Sequence, residues 1–348
     1  MPSPTLTRRR FAALGLAAPA VWGLADVARA LPRVPLVIAS GVAVGDAPAR
    51  SRAAYEAAIR DGADILAVDF APCKDGTLVA AGDRELSTFT DVATRAPFSD
   101  RRQTQFVDGK ERAGWFAEAF TLPELKSLTL AGAPPPKRRG PQAEPAAILT
   151  FDEVVAIARA GSTRTARVIG IQAGMVRPAY FASLDLAVEP RLAAAIHAAG
   201  YDYAAAAMTV ASADEAALRT VGGLTRARRI LRLDADGQGP SGADLGRLTA
   251  IRAVAEAIAV PPTALVDLAT PKTLPATELV ARAHAAGLAV QAWAPAAPAF
   301  PPPPLRPGDA RRVLAAVYAA GADALAAEPV ALAVRARADA IPAARDQG

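Results

Sequence analysis

Histidine and cysteine are nearly absent from this chain, whose 348 residues include two histidines and one cysteine. Because Cys73 has no second cysteine to pair with, an intramolecular disulfide is excluded. No histidine is near Cys73 in the sequence, which favours a passive apolar role over a reactive thiol. His197 and His284 close alanine-rich helical segments, where an imidazole complements the helix dipole. The composition therefore argues against histidine-based acid–base or zinc chemistry.

Aromatic residues are also few, at 5% of the chain, and no basic stripe is interleaved with them. The net charge is +5, but the first thirty residues carry four arginines and one aspartate, so only +2 remains beyond them. The cluster Lys137-Arg138-Arg139 lies in a proline-rich stretch, which predicts a solvated loop. We expect no nucleic-acid partner. The partner is a small-molecule ligand or a protein of the cell envelope.

The first thirty residues have the order of an export signal. The run Arg8-Arg9-Arg10-Phe11 is typical of the twin-arginine route, an apolar run at 12–24 follows, and Ala28-Arg29-Ala30 is a small-x-small cleavage site. The alternative is an uncleaved anchor helix. No other run reaches about 18 strongly apolar residues, so no stable span is expected after cleavage. The sequence thus predicts a signal at 1–30 and a periplasmic or extracytoplasmic domain at 31–348.

A repeated unit runs along the rest of the chain. An alanine-rich helical segment ends at a glycine, and an apolar strand begins two or three residues later. The repeat glycines are Gly62, Gly200, Gly287 and Gly321, with a looser copy at Gly161. Glycine after a helix supplies a left-handed cap, and near-continuous apolar strands are typical of a buried parallel sheet.

This alternation, without a glycine-rich phosphate motif, favours an α/β fold of the TIM-barrel type, (β/α)8, over a doubly wound sheet. Among the predicted strands are 36–39, 65–69, 230–233 and 264–266. Two stretches, 84–147 and 295–307, do not fit the repeat. We interpret them as loops over the functional face or flexible segments, the first being a long insertion after the early strands.

Chemistry in a TIM barrel lies at the carboxyl ends of the strands. The side chains that stand at or just beyond the predicted ends, and are therefore pocket candidates, are Asp69, Asp83, Ser212, Asp234, Asp267 and Trp293. Two or three of these carboxylates, if they converged, would bind a divalent cation. Several of them have a simpler interpretation as turn or helix caps.

Segment 36–92 resembles the opening of the periplasmic glycerophosphodiester phosphodiesterases. Ala113-Gly114-Trp115-Phe116 and the run 120–126 are similar to the insertion of that family, and Phe151-Asp152-Glu153-Val154 also fits. The resemblance covers nearly the whole chain beyond the export signal. It implies a TIM barrel and calcium- or magnesium-assisted hydrolysis of glycerophosphodiesters, a phosphoric diester hydrolase of lipid metabolism.

The catalytic positions that this resemblance implies are mostly changed. A His-Arg pair, the glutamate of a metal-binding Glu-x-Asp, a second histidine and a later glutamate fall respectively on Ser40, Gly41, Ala67, Gly82 and Gly174. Asp69 alone keeps the expected residue type, either as a vestigial metal ligand or as an acceptor that holds a neighbouring loop. A single carboxylate does not make the oxygen cage that such cations need.

These departures predict a catalytically inactive relative that works as a binding or interaction protein. The alternative is a phosphodiester hydrolase that uses a rebuilt carboxylate–metal site. A purely structural envelope protein is a third reading without a positive feature. The residues themselves predict no cofactor, and the resemblance makes calcium or magnesium the metals to test.

Overall fold

The computed structural model describes residues 34–41, 47–107, 110–132, 146–233, 245–268, 270, 273–294 and 305–341. The predicted export signal, the cluster at 137–139, the proline run at 301–304 and the candidate Asp234 lie outside the described residues. Within them, no helix is both long enough and apolar enough to cross a membrane.

Eight parallel strands close into a barrel, as the sequence predicted. In spatial order they are β1 (Leu36–Ala39), β2 (Ile65–Pro72), β6 (Gly170–Met175), β7 (Met208–Ser212), β8 (Arg228–Arg232), β9 (Ala257–Val260), β10 (Ala289–Trp293) and β11 (Ala324–Ala326). Pairing of β1 with both β2 and β11 closes the ring. A short strand, β3 (Leu78–Ala80), adds antiparallel to the extended end of β2.

The helices are α1 (Arg52–Arg60), α2 (Leu122–Lys126), α3 (Phe151–Thr165), α4 (Pro178–Ala182), α5 (Val188–Ala198), α6 (Glu215–Leu224), α7 (Leu245–Arg252), α8 (Leu279–Ala285), α9 (Ala310–Ala319) and α10 (Val330–Ala340). Their amphipathic faces pack on the outside of the barrel, because the main apolar core joins residues of the strands and of the helices. Inside the barrel, separate small clusters form around Ile38 and Ile230.

The predicted helix–glycine–strand unit is confirmed at its turns. Gly62 and Gly321 follow α1 and α9 with φ of +104° and +96°, where a side chain would strain the backbone. The looser copy differs, because Gly161 lies inside α3 and that helix ends at Ala166 in the left-handed conformation. The helix therefore extends one turn beyond the predicted boundary.

The predicted strand at 264–266 is wrong. The barrel strand is Ala257–Val260, and 3₁₀ helix Pro262–Ala264 follows it. Leu265 and Val266 are fully buried beneath this turn, which explains their apolar character without a ladder position.

The described residues of the insertion between β3 and α3 form one two-stranded sheet, which is a hairpin. This hairpin pairs β4 (Gln103–Val107) with β5 (Lys110–Gly114). Arg84, which is 1% exposed, joins it to the barrel through Glu118 at 2.9 Å and Gln105 at 2.5 Å. The Tyr180 ring of α4 lies 3.8 Å from the Arg84 guanidinium, so the insertion is clamped against the helix that follows β6.

Candidate functional site

The carboxyl ends of the barrel strands surround a cavity of about 300 Å³. Side chains point inward at every second position of a strand, and several of those positions hold alanine or glycine, which leaves the upper barrel open. The polar and aromatic lining residues are Ser40, Arg50, Tyr55, Asp69, Gln172, Arg232, Gln291 and Trp293. This is the place where the fold predicts chemistry.

Asp69 is held by an arginine of the protein itself. Nη2 of Arg232 donates to Oδ1 of Asp69 at 2.6 Å, across the barrel from β8 to β2. Both side chains are about one-third exposed, at 28% for Arg232 and 33% for Asp69, so water reaches the pair. The carboxylate that the sequence singled out as a vestigial metal ligand therefore faces a fixed cation.

Gly174 makes this ion pair possible. It lies beside Asp69 in the β2–β6 register. A Cβ atom at position 174 would overlap Oδ1 of Asp69 and come within 2.6 Å of Nη2 of Arg232. The space that a longer residue at 174 would occupy is thus filled by the side chains of Asp69 from β2 and Arg232 from β8.

At two more positions that the resemblance singled out, a glycine likewise leaves space that another side chain occupies. At Gly82 a Cβ would overlap Nη2 of Arg50 and lie 2.6 Å from its Nε. At Gly41, whose φ is +78°, a Cβ would lie 2.6 Å from the hydroxyl oxygen of Tyr55. Beside each glycine, a polar side chain from another part of the chain occupies the space that a longer residue would take.

The electrostatics around Tyr55 show how closely these groups are set. Burial raises the pKa of the Tyr55 hydroxyl well above its ordinary value; Arg50 acts against this shift, and Asp69 and Glu328 add to it. Oε1 of Glu328 accepts from the backbone N–H of Ser40 at 2.9 Å and from its hydroxyl at 3.2 Å. The cavity lining thus contains two guanidinium groups and the Asp69 carboxylate, while Glu328 is bonded to Ser40 of the lining.

Below its mouth at the carboxyl ends of the strands, the cavity is bordered by small residues. Ala67 and Ala326 line it at positions that face the barrel axis, and the amides of Gln172 and Gln291 lie lower in the wall. Gln172 is 5% exposed, and its Oε1 has no hydrogen-bond partner among the described residues. Trp293, at the end of β10, supplies an aromatic wall.

Three predicted pocket residues lie outside the cavity lining. Asp83 follows β3, which is not a barrel strand, and its Oδ2 lies 3.5 Å from Nη1 of Arg112 in the insertion. Ser212 is buried on the outward face of β7 and accepts from the backbone N–H of Asp214 at 3.0 Å. Asp267 follows the misplaced strand and is exposed, with Thr270 donating to it. Of the pocket candidates, Asp69 and Trp293 line the cavity.

The sequence analysis missed Arg50, Tyr55 and Arg232. Arg50 lies in a turn with no pattern to single it out, and Tyr55 occupies an apolar position of α1. Arg232 carried a usable signal. It follows Ile230 by two residues in a buried parallel strand, where a charged side chain on the barrel-facing parity is unusual.

The scarce histidines and the cysteine lie away from the cavity. His197 and His284 are in the last turns of α5 and α8, as expected. The Asp323 carboxylate accepts a hydrogen bond from Nε2 of His284 and raises the pKa of that histidine, against the effect of burial. Cys73 is fully buried, and burial raises the pKa of its thiol to about 12, which keeps it protonated and unreactive at neutral pH.

The described residues do not fit a divalent metal ion. No group of three or more histidine, cysteine, aspartate or glutamate side chains is arranged for metal binding in the part of the chain that the structure describes. Calcium and magnesium need several converging oxygen ligands, whereas Asp69 shares the cavity with Arg50 and is bonded to Arg232. The chemistry of the donor set is that of an ion-pair network.

Comparison with known proteins identifies relatives of this architecture. The profile of the glycerophosphoryl diester phosphodiesterase family matches residues 43–299. The glycerophosphodiester phosphodiesterase GDPD6 of Arabidopsis thaliana is 37% identical over 141 residues. That match covers 39% of this chain and 35% of the plant protein, so the chain spans about a third of the length of this curated relative.

Solved structures resemble the whole barrel at low sequence identity. A putative glycerophosphoryl diester phosphodiesterase from Silicibacter pomeroyi has a TM-score of 0.61 and 16% identity, covering 89% of this chain and 95% of that one. An Oleispira antarctica phosphodiesterase, solved with the product sn-glycerol-3-phosphate, has a TM-score of 0.56 and 16% identity over 87% and 96% of the two chains. At such identities the likeness supports the fold.

Proposed function

Because the chain belongs to the glycerophosphoryl diester phosphodiesterase family, we propose that it is a non-catalytic member whose strand-end cavity binds a small molecule. One observation carries this proposal. The Asp69 carboxylate, which is the single retained candidate ligand, accepts from Arg232 at 2.6 Å in the space that Gly174 leaves open.

The chemistry of phosphodiester cleavage supports the same conclusion. The reaction needs neutralisation of the phosphate charge, a positioned nucleophile and a proton for the leaving group. General acid–base catalysis alone contributes roughly 10²–10⁴-fold, and it needs a group that titrates near neutral pH. The guanidinium groups of Arg50 and Arg232 meet the first need at most, and burial moves the pKa of Tyr55 further from neutral pH.

A rebuilt carboxylate–metal site has less support. Asp83 and Asp267, which were to contribute to such a site, are outside the cavity lining, with partners of their own. Glu328 lies near the mouth, but its Oε1 is engaged by Ser40. The carboxylates of the described residues are therefore dispersed or paired at this end of the barrel.

We further propose that the protein is exported and acts in the periplasm or another extracytoplasmic compartment. The support is the sequence Arg8-Arg9-Arg10-Phe11 with its apolar run and the small-x-small site that ends at Ala30. Fractionation of a bacterial host with a twin-arginine pathway, expressing the natural chain or an Arg8→Lys/Arg9→Lys variant, tests this. Equal cytoplasmic retention of both would contradict export.

The proposed lack of catalysis is tested by hydrolysis. Purified protein is incubated with glycerophosphocholine, and separately with an aryl phosphodiester, in added calcium or magnesium and in EDTA. We expect turnover no higher than that of an Asp69→Ala variant, because the Asp69 carboxylate is bonded to Arg232 and no second carboxylate lines the described cavity. Metal-dependent turnover that disappears in Asp69→Ala would contradict the proposal and favour the hydrolase.

A further inference from the structure

The two guanidinium groups of the cavity are not equally engaged. Arg232 uses one of its N–H groups on Asp69. Arg50 has no carboxylate within ion-pair distance in the described ranges; its guanidinium carbon lies 5.6 Å from the centre of the Phe89 ring. The cation is therefore oriented by an aromatic face while its donors stay available to the cavity.

The backbone at Arg50 supports a specific placement. Its φ is +62°, a conformation that side chains other than glycine, asparagine and aspartate rarely adopt, and its N–H donates to the carbonyl of Gly41 at 2.6 Å. This turn delivers the guanidinium over Gly82, next to the end of β2. Strain of this kind is concentrated at functional sites.

The wall of the cavity presents a second, independent feature. Gln172 is 95% buried, since only 5% of it is exposed, and its Oε1 lacks a partner in the described part of the chain. A buried acceptor of this kind costs about 1–3 kcal/mol when it stays unsatisfied. Because Gln172 lines the cavity below the arginines, the missing donor has room to come from a ligand.

From these features we propose that the cavity binds a small hydroxylated oxyanion without a metal ion. Arg50 and Arg232 hold the anionic group at the mouth, and Oε1 of Gln172 accepts a hydrogen bond from a hydroxyl group deeper in the barrel. Guanidinium groups match phosphate and carboxylate oxygens in geometry and charge. The inference rests on the proposed binding function, and it names the ligand class of the same site.

The size of the cavity limits the ligand. A volume of about 300 Å³ lies at the lower end of small-molecule sites. Trp293 and Ala67 leave apolar wall between the charged mouth and the amide below. A ligand of a few carbon atoms, with one anionic group and a hydroxyl group at its other end, satisfies both polar regions.

The effect of neutralising Asp69 on anion affinity distinguishes this proposal from a metal site. In a metal site its carboxylate would be essential to binding. In a guanidinium site it repels the incoming anion and competes for Arg232, so its neutralisation strengthens anion binding. Because Asp69 is about one-third exposed, water screens this repulsion, and Asp69→Asn is expected to raise anion affinity by at least about threefold.

Calorimetric titration in EDTA tests the inference. The probes are glycerol 3-phosphate, glycerate and glycerol, which share a carbon skeleton and differ in the anionic group. We expect one or both anions to bind, the stronger one identifying phosphate or carboxylate as the preferred group, and glycerol not to bind. Inorganic phosphate, without the carbon chain that reaches Gln172, is expected to bind more weakly than glycerol 3-phosphate.

Variants separate the roles of the residues. Arg50→Gln is expected to weaken anion binding roughly tenfold or more, since hydrogen bonds to charged groups are worth about 1.5–3 kcal/mol. Gln172→Met is expected to weaken it about two- to tenfold. Arg60→Gln, in the exposed last turn of α1, is the matched control and is expected to bind as the natural protein does.

Three results would overturn the inference: binding of neither anion, binding that requires calcium or magnesium, or unchanged affinity in Arg50→Gln. These results are distinct from failure of the proposed function, which is detected by turnover. A protein that binds the anion in EDTA but hydrolyses diesters keeps the inference and loses the non-catalytic proposal. One that does neither loses the inference alone.

Discussion

Replacing Arg84 with alanine is expected to lower the free energy of unfolding by about 3–5 kcal/mol, because it leaves a buried carboxylate without its cation. The Arg84 and Glu118 side chains are 1% and 7% exposed, and their atoms are 2.9 Å apart. Tyr180 also donates to Oε1 of Glu118 at 2.6 Å, and burial raises its pKa to about 12. The phenol alone does not compensate the charge. Urea unfolding measures the loss.

The control for this experiment is Arg102→Ala. Arg102 is exposed and contacts the Trp115 ring at 5.8 Å, so its removal is expected to cost no more than about 1 kcal/mol. The double variant Arg84→Ala/Glu118→Gln is expected to be more stable than Arg84→Ala, because it removes the orphaned charge as well. A double variant at least as unstable as the single one would show that packing of Arg84, rather than its charge, fixes the insertion.

Gly174→Ala is expected to destabilise the protein by about 1–3 kcal/mol, the usual cost of forcing one extra carbon into a packed position. The added Cβ would overlap Oδ1 of Asp69 and displace the Asp69–Arg232 pair. The pair is partly exposed and itself contributes little, so most of the loss comes from the steric clash. Chemical unfolding of the variant and the natural protein gives the difference.

Two further variants make the Gly174 result interpretable. Gly223→Ala adds a Cβ in α6 with no neighbour within 4 Å, and it is expected to be neutral or to stabilise by up to about 1 kcal/mol. Asp69→Ala combined with Gly174→Ala is expected to recover most of the lost stability. If the combination remained as unstable as Gly174→Ala, the clash would not involve Asp69.

Much of the barrel could be predicted because glycines in the sequence show where a helix ends and the next strand begins. A helix that ends at Gly62 or Gly321 specifies where the next strand begins, and the apolar runs that follow are the strands. No such glycine precedes β9. Helix α7 ends at Arg252, and Ala253-Val254 follow it without a glycine, so the sequence predicts a strand at the apolar run 264–266 instead of at Ala257–Val260.

The cavity was less predictable because the side chains that occupy it come from positions that no local sequence pattern singles out. Asp69 and Trp293 stand at strand ends and were found by their position. The partners of the altered glycines are distant in sequence, as Arg232 is from Gly174 and Arg50 is from Gly82. Only the closed barrel brings them together. Asp83 and Ser212 show the converse, since a place at a strand end does not fix the face to which a side chain points.

Three glycine positions and the side chains beside them provide a common physical basis for both proposals. Glycine at 41, 82 and 174 removes side chains, and Tyr55, Arg50 and Arg232 take their space. Two of these three side chains are cations, so the cavity carries positive charge that belongs to the chain itself. The proposed lack of catalysis and the proposed anion-binding mouth therefore rest on the same three glycine positions.

Thermal melting in millimolar calcium, compared with EDTA, tests this central claim most directly. A ligand that binds the folded state raises Tm in proportion to RT ln(1 + [L]/Kd), so a functional metal site is visible without knowledge of any substrate. We predict no difference in Tm between calcium and EDTA beyond that seen in Asp69→Asn. A calcium-dependent rise in Tm that Asp69→Asn abolishes would contradict the account, because it would mean that Asp69 binds metal in preference to Arg232.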